Sequence, residues 1–149
     1  MRVTTNSWKQ TEALGKWLGS RLSGGEVIAL FGPMGMGKTA FTRGIALGLG
    51  VADEVSSPTF ALVHEHEGRV PLYHFDMYRV DSWDDLYSTG FFDYLGSGGV
   101  LVIEWSENIE GALPEDAVRV TLSRGETENQ RVFLFEGLPG EEDAPVFPG

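Results

Sequence analysis

The stretch Gly32-Pro33-Met34-Gly35-Met36-Gly37-Lys38-Thr39 places three glycines, a lysine and a threonine in one run. This spacing matches the Walker A pattern, in which backbone amides turn inward around phosphate oxygens and glycines leave room for the close approach. A glycine-rich turn would match by chance in on the order of one chain in a few hundred of this size. The run therefore indicates a phosphate-binding loop.

The segments on both sides of this run have the order that a phosphate loop requires. Residues 26–31 form a short apolar run that is typical of a buried strand, and residues 38–49 predict a helix closed by glycines. The helix would point its positive end at a bound anion. Lys38 would then reach the terminal phosphates, and the hydroxyl of Thr39 would bind Mg²⁺.

Hydrophobic patterning along the rest of the chain predicts further helices and strands. The predicted elements are a helix from Trp8 to about Ser23, an antiparallel hairpin of residues 60–66 and 70–75, helical segments at 83–87 and 91–95, and strands at 100–103, 118–122 and 131–135. We therefore expect an α/β, P-loop NTPase-like three-layer fold with a mixed central β-sheet flanked by helices. Residues 1–136 are expected to form a single domain, and residues 137–149 a flexible acidic tail rich in proline and glycine.

Composition narrows the classes of function. The 149 residues carry a net charge of -11 with only 11 Lys and Arg, which argues against strong direct binding of nucleic acid. No apolar run approaches the roughly 20 residues that span a bilayer, and no secretory signal is apparent, so we expect a cytoplasmic protein. The absence of cysteine excludes disulfides and thiolate metal sites.

Two acidic residues end apolar strands at the place where ligands gather in α/β sheets. Asp76 follows Leu72-Tyr73-His74-Phe75, and Glu104 follows Val100-Leu101-Val102-Ile103. Each carboxylate could organise Mg²⁺ at the phosphates, although a helix cap or a solvated strand end is the alternative for both. His74 is more often a hydrogen-bonded core residue in such a position than a base or ligand.

The segment Ser56-Ser57-Pro58-Thr59 follows the helix of the phosphate loop. Switch segments of nucleotide hydrolases place a threonine here that senses the terminal phosphate and the metal, so Thr59 is a candidate sensor. A proline-containing turn that enters a strand explains the segment equally well.

Together these motifs resemble the TsaE family, formerly called YjeE. The resemblance is carried by Gly32 to Thr39, Thr42-Arg43-Gly44, Ser57-Pro58-Thr59-Phe60, His74-Phe75-Asp76-Met77-Tyr78-Arg79 and Ile103-Glu104-Trp105. Proteins of this family are bacterial ATPases required, with TsaB and TsaD, to make threonylcarbamoyladenosine beside the anticodon of tRNAs that read codons beginning with adenine. The segment after Phe135 departs from the family pattern, and residues 126–131 match its late nucleotide-facing loop only loosely.

The resemblance implies ATP and Mg²⁺ as cofactors. The expected catalytic residues are Lys38, Thr59, Asp76 and Glu104; the expected cofactor contacts are Thr11, Gly35, Met36, Gly37, Lys38, Thr39 and Ala40; and the expected metal ligands are Thr39, Asp76 and Glu104. Trp105 would support the active edge, and the stretch near Trp8 would lie by the adenine, although Trp8 could equally belong to the core. The implied partner is a complex of TsaB and TsaD that already holds tRNA, which suits an acidic chain.

Other functions of a P-loop remain open at this point. A small-molecule kinase needs a basic lid, yet only Lys9 and Lys16 accompany Lys38, and the arginines are scattered. A GTPase-like switch would need an Asn-Lys-x-Asp segment, which is absent from the sequence. A nucleotide-dependent binding module is the third class. We expect weak ATPase activity alone and stimulation by the partners, with some aromatic residues between Trp83 and Trp105 forming either a docking surface or ordinary core.

Overall fold

The computed structural model describes residues 1–33, 35–52 and 63–148. Its elements in chain order are β1 (Arg2–Thr5), α1 (Trp8–Ser20), β2 (Val27–Phe31), α2 (Lys38–Gly48), β3 (Val63–His66), β4 (Leu72–Asp76), α3 (Trp83–Ser88), α4 (Phe91–Leu95), β5 (Val100–Glu104), a 3₁₀ helix (Ser106–Ala112), β6 (Val118–Arg124) and β7 (Arg131–Glu136). Every predicted element is present within the described part of the chain. Two elements were not predicted, namely β1 and the 3₁₀ helix.

The strands form one seven-stranded sheet in the order β1-β7-β6-β2-β5-β4-β3. The central strand β2 lies parallel to both of its neighbours, β5 and β6, and β4 lies parallel to β5. The outer pairs are antiparallel. The sheet is therefore mixed, as predicted, and the carboxyl ends of β2, β4 and β5 meet at one edge, where α/β sheets bind their ligands.

Alternating side chains on the strands divide the core into two layers. Ile28 and Val102 pack on the side of the sheet that α1 and α2 cover. Leu101 and Ile103 pack on the opposite side with Phe91 of α4. Because successive residues of a strand point to opposite faces, the apolar run of β5 is buried on both sides. The result is the expected three-layer α/β fold.

Helices α1 and α2 pack in direct backbone contact. A methyl group at Gly15 or at Gly44 would collide with the backbone of the facing helix. The amino end of α1 is capped by Ser7, whose hydroxyl accepts a hydrogen bond of 3.2 Å from the amide of Gln10. This close packing brings the first turn of α1 beside the start of α2.

Residues 137–148 form no helix or strand, but they contact the domain. The guanidinium of Arg21 lies 2.6 Å from the carboxylate of Glu142, and the indole of Trp17 donates to the carbonyl of the same residue at 3.1 Å. Phe147 packs against the core layer beneath α1. The flexibility expected of residues 137–149 stays a prediction. No helix in the described part of the chain is long and apolar enough to cross a membrane.

Candidate nucleotide-binding site

The glycine loop joins β2 to α2 in a conformation that depends on its glycines. Gly32 has φ of 130°, and a side chain there would meet the carbonyl oxygen of Leu122. Gly37 has φ of 94° and stands at the amino end of α2, where it has no side chain to cap the helix. The first backbone amides of α2 therefore face the loop, in the arrangement that binds phosphate at a helix amino end.

The surroundings of the Lys38 ammonium show whether a phosphate fits at the glycine loop. Its side chain is buried, and its Nζ finds no hydrogen-bond partner among the described residues. The ammonium lies 4.5 Å from the centroid of the Trp105 ring. A cation over an indole is stabilised by roughly 0.5–2 kcal/mol, less than a buried ammonium gains from full hydrogen bonding. The loop and its lysine thus fit an anionic phosphate.

Trp105 is held in an unusual backbone conformation. Its φ of 59° and ψ of 41° lie in the left-handed region, which costs an ordinary side chain on the order of 1–2 kcal/mol. The ring packs against Tyr78 at a centroid distance of 5.0 Å. Asn108 donates hydrogen bonds to the carbonyls of Met77 and Tyr78, at 2.8 Å and 3.2 Å. These contacts keep the indole across Lys38, where it covers the buried ammonium.

The two predicted acids lie side by side. Asp76 pairs with Glu104 in the register of the parallel strands β4 and β5. Strand alternation places both side chains on the same face of the sheet as Val102, which is the face covered by α2. Each acid therefore emerges at the carboxyl edge beside the phosphate loop.

Glu104 is buried and is bound to a histidine. Its Oε2 lies 2.7 Å from Nε2 of His74, in a hydrogen bond between two side chains that are 7% and 0% exposed. His74 precedes Asp76 by two residues on β4 and so points to the same face. The expectation of a buried, hydrogen-bonded His74 is met, and its partner is one of the candidate catalytic acids.

Asp76 is half-buried and is held by the backbone instead. Its Oδ1 accepts a hydrogen bond of 2.9 Å from the amide of Tyr78. Burial raises the pKa of Asp76 above its ordinary value of 3.8, and the charge of Glu104 adds to the rise. The Tyr78 hydrogen bond and the charges of His74 and Lys38 lower that pKa. Asp76 thus lies within electrostatic reach of the lysine of the loop.

A cavity of about 320 Å³ opens beside the loop, between α1 and the carboxyl end of the β6–β7 turn. Its lining comprises Asn6, Ser7, Trp8, Thr11, Gly35, Gly37, Ala40, Asn129 and Arg131. Thr11 is buried, and its hydroxyl shares a hydrogen bond of 2.7 Å with that of Thr5. The side chain of Trp8 is 58% exposed, so it belongs to the rim of this cavity and not to the core.

The other residues that were predicted to contact the cofactor or the metal lie at different places. Ala40 and Gly35 line the cavity, whereas the side chain of Met36 packs into the core, so Met36 can meet a ligand only through its backbone. Thr39 lies in the first turn of α2. Thr59 lies outside the described residues. Within the described ranges no group of three or more His, Asp or Glu could hold a metal, so a cation at Thr39 and the two acids would need further ligands.

Two contacts of the site escaped the sequence analysis. The pairing of His74 with Glu104 was missed because it depends on β4 lying in register beside β5. Glu107 was missed as well: its Oε2 accepts a hydrogen bond of 3.0 Å from the amide of Gly32, at the first residue of the loop. No local pattern announces that contact, because the two residues are 75 positions apart.

This chain has the architecture of a P-loop protein: a parallel strand, a glycine loop, a helix with a buried lysine and two acids on neighbouring strands. Residues 5–133 match the family described as "Threonylcarbamoyl adenosine biosynthesis protein TsaE". Because the match spans most of the chain, the protein belongs to the TsaE family, whose role is in tRNA threonylcarbamoyladenosine biosynthesis.

Individual relatives agree with this assignment. The chain is 41% identical over 122 residues to the tRNA threonylcarbamoyladenosine biosynthesis protein TsaE of Treponema pallidum, covering 82% of this chain and 90% of that protein. It is 37% identical over 131 residues to the Bacillus subtilis protein of the same name, covering 87% and 82%. The crystal structure of Bacillus subtilis YdiB superposes with a TM-score of 0.78 at 32% identity, covering 91% of this chain and 83% of that one.

Proposed function

We propose that this protein is a Mg²⁺-dependent ATPase that acts with TsaB and TsaD in the threonylcarbamoyl modification of adenosine beside the anticodon of tRNA. The observation that supports hydrolysis of a bound nucleotide is the buried ammonium of Lys38. It has no hydrogen-bond partner in the described residues and stands at the glycine loop beside two acids. The family's role in tRNA modification connects this chemistry to its pathway.

ATP supplies the phosphoryl group that water attacks, and Mg²⁺ neutralises its charge. The backbone amides at the start of α2 and Lys38 would hold the phosphates, and Thr39 in the first turn of α2 would ligate the cation through its hydroxyl. Glu104, which His74 holds in one orientation, would position the attacking water. Asp76 completes the acidic edge on the next strand.

The cavity between Trp8, Thr11 and the loop is the proposed seat of the nucleoside. Its volume of about 320 Å³ lies at the lower end of the range for small-molecule pockets. The exposed indole of Trp8 offers a flat apolar face for a base. Arg131 also lines the cavity and would meet ribose or phosphate oxygens.

The chain alone is proposed to be a weak ATPase. Few basic residues surround the loop, and Arg43 on α2 faces Glu12 at 3.9 Å. A missing arginine finger can cost about 10³- to 10⁵-fold in rate. A partner that supplies such a group, or that excludes water, would raise the rate of hydrolysis.

Nucleotide binding is tested with Lys38→Ala, compared with Lys16→Ala at an exposed position of α1. Calorimetry should show a large loss of ATP affinity in the first variant, because the phosphate charge is less neutralised, and none in the second. Unchanged affinity and unchanged turnover in Lys38→Ala would reject a phosphate role for the loop.

The modification itself is tested by reconstitution. With tRNA and an activated threonylcarbamoyl donor present throughout, ATP consumption and modified tRNA are measured with this chain alone, with TsaB, with TsaD and with both. We expect little hydrolysis alone, and both hydrolysis and modification only in the complete mixture. Equal hydrolysis in all four mixtures would reject partner stimulation. Rapid phosphorylation of one metabolite by the chain alone would favour a kinase instead.

A further inference from the structure

The outward side of α3 and α4 exposes large aromatic side chains in mutual contact. Trp83 and Tyr87 of α3 are 58% and 64% exposed. Phe92 of α4 lies between them, with ring centroids 6.5 Å from Trp83 and 4.9 Å from Tyr87. Single exposed aromatic side chains are common on protein surfaces, whereas a contiguous cluster of them commonly marks an interaction site.

This aromatic cluster lies in a segment with one sign of charge. Residues 80–118 contain nine Asp and Glu and no Lys or Arg. Asp81 and Asp84 flank Trp83 in sequence, and among the described residues neither has an ion-pair partner. Elsewhere on this segment, Glu110 pairs with Arg119 at 2.9 Å, and Glu104 is bound to His74. We call Asp81, Trp83, Asp84, Tyr87 and Phe92 the acidic aromatic face.

Asp81 of this face lies close to a second carboxylate, that of Asp85. Asp85 accepts a hydrogen bond of 3.3 Å from the amide of Asp81, and the two side chains interact directly. The hydrogen bond with Asp85, followed by its negative charge, raises the pKa of Asp81 above the ordinary value. Repulsion between these acids would be relieved by a cation from outside the chain.

A groove beside the aromatic cluster can receive a long side chain. It has a volume of about 290 Å³ and runs between α3 and the 3₁₀ helix. Val80, Leu86 and Ile109 give it apolar walls, with Trp83 on one side and Asp81 at its rim. An arginine or lysine places its alkyl stem on apolar surface and its charge at a carboxylate or over an indole, which is the chemistry this groove offers.

The acidic aromatic face is connected to the nucleotide site. The 3₁₀ helix that walls the groove is tied to the end of β4 by the two hydrogen bonds of Asn108. Tyr78 at that end of β4 packs on Trp105, which covers Lys38. A partner bound to this face would therefore be connected to Lys38 of the phosphate loop through a continuous series of side-chain contacts.

We propose that the acidic aromatic face is the docking surface for a protein partner that presents arginine and lysine side chains. The choice of partner rests on the proposed function, in which the TsaB and TsaD proteins bind this chain. The uniform negative charge disfavours RNA as the occupant, and it also disfavours a second copy, which would bring the same acids together.

The test measures the affinity of this chain for TsaB and TsaD combined, at low and at physiological salt, with ATP present. Two double variants probe the surface: Trp83→Ala with Tyr87→Ala, and Asp81→Asn with Asp84→Asn. Matched controls are Leu47→Ala with Leu134→Ala, which are exposed apolar positions, and Glu67→Gln with Glu136→Gln, which are exposed acids. Circular dichroism and ATP affinity of each chain alone verify folding.

We expect the aromatic variant to weaken partner binding by roughly tenfold or more, the loss that central aromatic residues cause at interfaces. The aspartate variant should weaken binding at low salt and flatten its salt dependence, while both controls bind like the unaltered chain. Unaltered affinity in both surface variants would overturn the docking surface and leave the proposed partnership intact.

Three further outcomes would reject the partnership or assign the surface to another occupant. Failure of the unaltered chain to bind TsaB and TsaD would reject the partnership in the proposed function, and the docking surface with it. Binding of tRNA by the chain alone that is lost in the aromatic variant would assign the surface to RNA. A dimer in sedimentation that the aromatic variant dissociates would assign it to a second copy.

Discussion

Strands β4 and β5 lie side by side, and each ends at an acidic residue, but the two acids have different surroundings. Glu104 at the end of β5 is only 7% exposed and is hydrogen-bonded to the buried His74. Asp76 at the end of β4 is half-buried and is held by a backbone amide, with its pKa raised by burial. A shared sequence pattern thus leads to one acid in a fixed orientation and one that can adapt.

This difference suggests a division of labour. An acid held by a second buried side chain keeps its geometry at little further entropic cost, which suits a group that positions a reacting water. An acid at the solvent edge can change its contacts when a charged ligand arrives. Variants of the two acids can therefore test whether their roles differ.

The largest effect is expected from Glu104→Gln, which keeps the shape of the side chain and removes its charge. We expect ATP hydrolysis with the partners present to fall by roughly 100-fold or more, since positioned proton acceptors contribute about 10²- to 10⁴-fold. ATP affinity should change little because the loop amides remain. Steady-state hydrolysis beside calorimetry measures both quantities, and normal turnover would show that Glu104 has no part in the reaction.

A smaller loss is expected from Asp76→Ala. Hydrolysis should fall between about 10- and 100-fold, the range for groups that orient a metal site through a second layer of contacts. The loss should shrink as Mg²⁺ is raised, because an adaptable acid acts through the cation. A deficit that exceeds that of Glu104→Gln would reverse the proposed roles of the two strand ends.

His74 tests whether fixing Glu104 matters. His74→Ala should lower hydrolysis by about tenfold with little change in ATP affinity, because Glu104 loses its orienting partner. His74→Gln can still donate a hydrogen bond to the carboxylate and should recover much of the rate. Equal rates in both variants and the unaltered protein would reduce His74 to a packing role.

The smallest effect concerns stability and pH. Because the pKa of Asp76 is raised in the folded state, ionising it costs stability as pH rises above its ordinary value of 3.8. Asp76→Asn keeps the hydrogen bond from Tyr78 and removes that cost. Its Tm should exceed that of the unaltered protein at neutral pH by a small margin, because solvent screens a half-buried charge.

This advantage should disappear below pH 3.8, where Asp76 is protonated in both folded and unfolded chains. Thermal melting across this range is the measurement, with Asp116→Asn at an exposed turn as the control. A constant difference between the two proteins at every pH would mean that packing, rather than charge, explains it.

Most elements of the fold were predictable because their signals are local. The apolar runs of β2 and β5 and the glycines of the loop are each recognisable within a few residues. The short strand β1 was not predictable in this way. Its four residues Arg2–Thr5 carry no pattern of their own and form a strand by pairing with β7, which lies at the far end of the chain.

The features of the site also divide into those that the sequence predicts and those that it does not. The glycine run, Lys38 and the two acids were recognisable because each depends on residue type and spacing along a few positions of chain. The partner of Glu104, the indole over Lys38 and the contact of Glu107 with Gly32 were not recognisable.

Backbone preference and hydrophobic periodicity act over short distances, so the phosphate loop, the succession of strands and helices and the acids at two strand ends follow from local sequence. The order of the strands, and hence the set of side chains that meet at the edge of the sheet, depends on tertiary packing. The hydrogen bond of His74 to Glu104 spans 30 positions and exists because β4 lies in register beside β5. Such contacts depend on packing between distant segments, which no local pattern specifies.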